Sequence, residues 1–397
     1  MTAAGIVAEY NPFHAGHAYH INQTRRALGP DTAVVCVMSG NWVQRGDCAV
    51  FDKWTRARMA LEGGVDLVLE LPTVWALSSA EGFARGAVGL LAATGVVTHL
   101  SFGSECGDVD QLRRVAVCLD SPAFSAALGR QLDSGLPFAL CRQRAVEEVL
   151  GKGPTGLLEQ PNNNLGVEYL RALNALKGDI QPLTVFRRGA GHDGGDHPDF
   201  PSASFLREKL RGRGGENAAT LARCERAILA RLRTMTAAEW AKLPDSGAAE
   251  GLPRRLERAG RGCAGLEEFF ALAKTRRYAH ARLRRLVLWA FLGITEADRP
   301  GSPPYLRVLG LNGRGREVLR EMKSRAAAPV LTKPAHIDRL GEDARRLFAL
   351  EARCTDLYGL CFASPAPCGR EWSTSPVVAR AAGNWLPPCG GAVGFAD

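Results

Sequence analysis

"AAGIVAEYNPFHAGHAYH", residues 3–20, opens as a short apolar run and closes with His14, His17 and His20 at steps of three, in a chain of 397 residues that holds only 8 histidines. The run GIVAEY at 5–10 reads as a β-strand and the residues after it as a helix start. Similar apolar runs recur as TAVVCVM (32–38), DLVLELP (66–72), THLSFG (98–103) and PLTVF (182–186). Helical stretches closed by glycine lie between them, such as KWTRARMALEGG (53–64) and ALSSAEGFARGAVGLLAATG (76–95). That alternation predicts βα units, and the continuous apolar character of the strands predicts a parallel sheet covered on both faces. Ligands in such sheets bind beyond the carboxyl ends of the strands, where the three histidines fall.

In HAGH, at 14–17, two imidazoles flank Gly16 where a strand end turns into a helix. Imidazole donors, helix N-terminal amides and a glycine that admits close approach suit a phosphate on which charge builds during attack. Zinc ranks lower, since neither HExxH nor a nearby third carboxylate ligand accompanies the histidines. For His20, packing on the following helix is the simpler reading. A second element, FPSASFLREKL (200–210), sets Ser202 and Ser204 at a helix N-cap with Arg207 in the first turn. Hydroxyl, amide and guanidinium there make another anion site, and S-x-S alone would be only a cap.

Composition narrows the class. At 46% hydrophobic and 23% charged, the chain resembles ordinary folded proteins, and no apolar run approaches the ~20 residues of a membrane span. Gly, Glu and Asn within 5–11 break any leader-peptide core, so the mature chain is expected to start at or near Met1. The 11 cysteines are scattered without a CxxC pair, which predicts free thiols in a reducing cytoplasm and no structural zinc. Charge is uneven: residues 1–210 hold 19 Lys+Arg against 22 Asp+Glu, whereas 211–397 hold 31 against 19. The second half therefore carries a net +12, which points to a polyanionic partner for that half alone. Its pattern is helical, with Leu221, Cys224, Ile228, Leu232 and Met235 on one face and a second helix expected over 266–292. From Lys274 to Arg285 there are six basic residues and no acidic one. Two domains are expected, 1–210 and 211–397.

Together GIVAEYNPFHAGH, MSGNWVQRGDCAVFDKWTRARMAL (38–61), SFGSECG (101–107), QPNNNLGVEYLRAL (160–173), RRGAG (187–191), SASFLRE (202–208) and KTRRYAHARLRRLVLWAFLGI (274–294) resemble the tRNA(Met) cytidine acetate ligase family. That family lies among the HxGH nucleotidyltransferases. The resemblance implies an α/β fold, a Rossmann-like parallel sheet followed by a mainly helical C-terminal domain. It implies that ATP, accompanied by Mg2+ and without a protein-ligated metal, converts acetate to acetyl-adenylate. The acetyl group then passes to N4 of the wobble cytidine of elongator tRNA(Met). His14, His17 and Arg207 would be catalytic. By the same resemblance ATP would contact Val7, Ala8, Glu9, Tyr10, Asn11, Pro12, Phe13, His14, Ala15, Gly16, His17, Ala18, Tyr19 and His20. Gly103, Asn163 with Asn162 as its rival, Arg187, Arg188 and Ser202 complete that set. Lys274, Arg276, Arg277, Arg282, Arg284 and Arg285 would meet tRNA phosphates. No membrane contact is expected, and the oligomeric state is left open. Two alternatives remain at this point: a small-molecule adenylyltransferase of the same superfamily, and a non-catalytic RNA-binding protein with an ATP-sensing pocket.

Overall fold

The structure, a computed structural model, describes residues 1–134, 136–151, 153, 155–187, 202–212 and 217–379. Its strands are β1 (Ala3–Ala8), β2 (Ala33–Ser39), β3 (Trp42–Val43), β4 (Asp47–Cys48), β5 (Leu67–Leu71), β6 (His99–Ser104), β7 (Gln181–Phe186), β8 (Leu306–Leu311), β9 (Val330–Leu331) and β10 (Val377–Val378). The main sheet runs β10-β8-β5-β2-β1-β6-β7, with β9 beside β8, while β3 and β4 form a separate hairpin. From β5 to β7 every pairing is parallel. The order reverses at β1, so the crevice beyond the carboxyl ends of β1 and β6 is the place where such a sheet receives a ligand.

Alternation along β2 shows why both faces are covered. Val35 and Val37 belong to one buried cluster, and Val34, Cys36 and Met38 to another on the opposite face. β1 begins and ends two residues before the predicted GIVAEY, and the left-handed φ of 43° at Tyr10 takes the chain out of extended geometry just beyond its end. The expected helix 76–95 is a short turn at Thr73–Ala76 and a helix Ala80–Ala93, the latter capped by Ser79.

The expected boundary at 210/211 does not divide the sheet. β8 pairs antiparallel with β5, and β9 and β10 flank β8, so the second half of the chain supplies three strands. Apolar burial is equally continuous: Trp240, Trp289 and Phe348 from the helices belong to the same cluster as Val35 and Leu69 from the sheet. A buried ionic cluster seals this junction. Lys53 Nζ lies 2.6 Å from Glu70 and 2.5 Å from Glu371. Glu351 accepts from the Thr73 amide at 2.6 Å and the Thr73 hydroxyl at 2.8 Å. Arg307, also buried, lies near Glu371. The second half is otherwise helical, as expected. Its predicted helix 266–292 is broken into Leu266–Ala273 and His280–Leu292, with Lys274, Arg276 and Arg277 in the loop between.

Candidate functional site

The loop Glu9–His14 leaves β1 and enters the helix Ala15–Leu28. His14 is the N-cap: its Nδ1 accepts from the Gly16 amide at 3.1 Å, and the Nδ1 of His17 accepts from the His14 amide at 3.2 Å. This is a capping box made of two imidazoles, with ring centroids 3.8 Å apart. Two expectations change as a result. The His17 amide is bonded to the His14 carbonyl and the Gly16 amide to the His14 ring, so neither is the anticipated phosphate donor. Gly16 serves the ring as well, since a Cβ there would lie 2.9 Å from His14 Cε1. With both Nδ1 atoms accepting, a neutral ring carries its proton on Nε2, leaving two N–H donors.

Burial keeps those rings neutral. It depresses His14 to about 4, helped by Arg187 and Arg207, and pushes His17 well below its usual value, helped by His14 and Arg187. His20 is also lowered to about 4 by burial and by Arg187, and its Nε2 lies 2.9 Å from Ser101 Oγ. That bond ties His20 to β6, in place of the packing on a following helix expected of it, and the ring borders the cleft.

Beyond the sheet edge lies a cleft of about 670 Å³, within the range of small-ligand sites. His14 and His17 line it together with Gly103, Asn162, Arg187, Ser202 and Arg207. Arg207 donates to the Asn11 carbonyl at 2.9 Å and to Ser204 Oγ at 2.9 Å, tying the later helix Ala203–Gly212 to the early loop. Ser202 Oγ accepts from the Phe205 amide at 3.2 Å, the cap predicted for it. Gly103 makes room for a cation: a Cβ there would meet Arg187 Cγ at 3.1 Å. Burial lowers the pKa of Arg187 and of Arg207, with Glu105 opposing at the first and Glu9 at the second. Neither arginine has an ion pair among the described residues. Phe83, Phe102 and Tyr169 give the cleft an apolar wall.

The cleft's acidic groups are already engaged. Glu9 accepts from the Gln44 amide at 2.7 Å, and burial raises its pKa. Glu105 holds the Asn162 side chain and the Asn162 and Asn163 amides, and Asp47 lies 3.4 Å from both Arg211 and Arg284. No group of three or more His, Cys, Asp or Glu able to hold a metal occurs among the described residues. The residues present therefore do not build a magnesium site of their own.

Several sequence expectations shift. Val7, Ala8, Glu9, Tyr10, Asn11 and Gly16 line the cleft, whereas Pro12, Phe13, Ala15, Ala18 and Tyr19 do not. Phe13 is instead buried against Tyr10, their ring centroids 4.9 Å apart. Asn163 is fully buried, its Oδ1 accepting from the Glu105 and Cys106 amides, so Asn162 and Asn164 are the cleft-facing members of the run. Arg188 lies outside the described residues. Of the basic stretch, Lys274, Arg276 and Arg277 are exposed. Arg282 is paired with Glu250, and burial lowers the pKa of Arg285. Arg284 reaches the cleft, donating to the Gly46 carbonyl at 3.1 Å. Gln44, Arg45, Asp47 and Tyr169 also line it. They lie within the stretches 38–61 and 160–173 that carry the family resemblance, which does not single them out individually.

Comparison with known proteins places this geometry. The profile of the HIGH nucleotidyl transferases matches residues 1–371. A tRNA(Met) cytidine acetate ligase from Syntrophomonas wolfei is 35% identical, the match covering 95% of this chain and 99% of the relative. The protein of that name from Caldanaerobacter subterraneus is 37% identical, over 91% of this chain and 96% of its own. Among solved structures, Thermotoga maritima TmcAL bound with alpha-thio ATP matches with a TM-score of 0.86 and 31% identity, covering 96% of this chain and 100% of that one.

Proposed function

The chain belongs to the tRNA(Met) cytidine acetate ligase family of HIGH nucleotidyl transferases, and from that premise we propose that it joins acetate to a tRNA cytidine at the expense of ATP. Acetate attacks the α-phosphorus of ATP, forming acetyl-adenylate and releasing pyrophosphate. The exocyclic N4 of the wobble cytidine (C34) of elongator tRNA(Met) then attacks the acetyl carbon. AMP leaves and N4-acetylcytidine remains.

The observation that carries this reading is the meeting of His14, His17 and Arg207 in one cleft, with Arg207 bonded to the early loop itself. Carboxylate attack on phosphorus needs alignment and charge stabilisation more than a protein nucleophile. The imidazole Nε2–H groups supply neutral donors, and Arg187 and Arg207 supply cations that have no ion pair among the described residues. The apolar wall suits a nucleobase, and Asn162 rather than Asn163 would contact the nucleotide. Any magnesium would be held by phosphate oxygens, since the cleft carboxylates are committed. Residues 1–210 would provide most of the ATP chemistry and the helical part of 211–397 the RNA contact. The setting would be the cytoplasm. No helix among the described residues is long and apolar enough to cross a membrane.

The test incubates the protein with ATP, labelled acetate and bulk tRNA, followed by nucleoside analysis. Label in N4-acetylcytidine is the expected result. Acetate-dependent pyrophosphate release with no labelled nucleoside would move the acceptor to a small molecule. ATP binding without turnover would leave only a nucleotide-sensing RNA-binding protein.

A further inference from the structure

The helix Leu252–Gly262 carries an arginine row outside the basic stretch identified from sequence. Leu252, Pro253, Leu256, Ala259 and Gly260 are buried, and Arg254, Arg258 and Arg261 occupy the opposite face. Their i, i+4, i+7 spacing sets them in one line about 10 Å long, at ~1.5 Å per residue. Like charges at i, i+4 oppose helix formation, so this row works against the helix that bears it. Arg254 and Arg258 have no ion pair among the described residues, and Arg261 has Glu257 at 2.6 Å. All three are exposed.

This row adjoins the loop cations. Arg255 donates to the Leu272 carbonyl at 3.0 Å, at the end of the helix that leads into Lys274, Arg276 and Arg277. Tyr278, closing that loop, donates to the Glu250 carbonyl at 3.3 Å, just before the arginine helix begins. The next helix starts at His280, and Arg284, one turn in, borders the cleft. A path of positive charge thus runs from Arg261 and Arg258 past the loop to the reaction site. The acidic groups near it include Glu257 and Glu250, both paired, Asp47, which pairs with Arg284 at the cleft end, Glu225, which accepts from the Leu266 amide, and Glu267 and Glu268 at the start of the Leu266–Ala273 helix.

We infer that the Arg254–Arg258–Arg261 face, with Lys274, Arg276 and Arg277, docks the sugar–phosphate backbone of the tRNA whose cytidine enters the cleft. The inference rests on the acetyl-transfer reading above. Fixed cations in a line suit a phosphate chain, which they position without reading its sequence. Sequence recognition is left to the loop nucleotides, which a single-stranded anticodon presents at low cost.

The experiment titrates tRNA into the wild-type chain and into the R254Q/R258Q/R261Q variant over a range of salt. It also measures the KM for tRNA and acetate-dependent pyrophosphate exchange. The variant should bind roughly tenfold or more weakly at low salt, with its salt slope reduced by about two. KM should rise, while pyrophosphate exchange, which needs no RNA, shows that the fold and adenylation persist. Unchanged affinity, slope and KM would overturn the docking face. So would wild-type binding to anionic vesicles but not to tRNA. Failure of the wild type to acetylate tRNA would sink the acetyl-transfer reading instead, while the binding titration would still decide the docking face.

Discussion

Two charged regions of this molecule are built in opposite ways. Behind β5, Lys53 is shut between Glu70 and Glu371, and Arg307 shares Glu371. Burial works against the Lys53 ammonium, but Glu371, Glu70 and Glu351 outweigh it and push its pKa up. In the cleft the cations Arg187 and Arg207 have no ion pair among the described residues, and burial holds the histidines beside them neutral. The first arrangement pairs Lys53 with two carboxylates inside the protein and joins C-terminal segments to the sheet, although Glu371 Oε1 and Arg307 Nε lack a hydrogen bond among the described residues. The second is complete only when an anion arrives. A charged cluster therefore says little by its composition, and the state of its pairing separates structure from binding.

The contrast breaks most readily at Lys53. Lys53→Met leaves two buried carboxylates without their ammonium and should cost about 3–5 kcal/mol in denaturant unfolding. A loss below about 1 kcal/mol would mean that the cluster is not what fastens the two halves together. Arg207→Gln asks the converse question. It should slow acetyl-adenylate formation by ~10²–10³-fold while costing less stability than Lys53→Met, because the bonds it gives up among the described residues are to the Asn11 carbonyl and Ser204 Oγ and not to a carboxylate. Equal losses of stability and rate would erase the distinction between the two regions.

A smaller effect sharpens the same point through pH. His14 and His20 take up a proton only near about 4 in the folded chain, against an ordinary value of 6.5. Between those values the unfolded chain binds more protons, so this contribution makes stability rise with pH from about 4 to 6.5 and level off above. Histidine ring NMR should show no titration of these groups between about pH 8 and 5.5. A midpoint near 6.5 would show that burial does not hold them neutral, and below about pH 6 the cleft would be lined by imidazolium as well as guanidinium.

Much of this was legible in the residues. Apolar runs separated by glycine-closed helices gave the five parallel strands from β5 to β7, and the sheet's reversal at β1 put HAGH at its mouth. Pairing Ser202 and Arg207 with that motif also located the second wall of the cleft. What sequence could not supply were contacts between distant segments. LRVLGL at 306–311 is as apolar as any early strand, yet its place beside β5 depends on a connection of more than two hundred residues. The NNN run at 162–164 offers three identical side chains, and only helix phase decides that the middle one faces inward. The imidazole capping box reads as a ligand motif alone until its Nδ1 atoms are seen to be occupied by backbone amides.

The central claim is that the neutral imidazoles of His14 and His17 and the guanidiniums of Arg187 and Arg207 close on one triphosphate. A crystal structure of the chain with a non-hydrolysable ATP analogue tests it most directly. Phosphate oxygens should lie within hydrogen-bond distance of His14 Nε2, His17 Nε2 and the Arg207 guanidinium. A triphosphate seated elsewhere, with those groups still facing solvent, would contradict it.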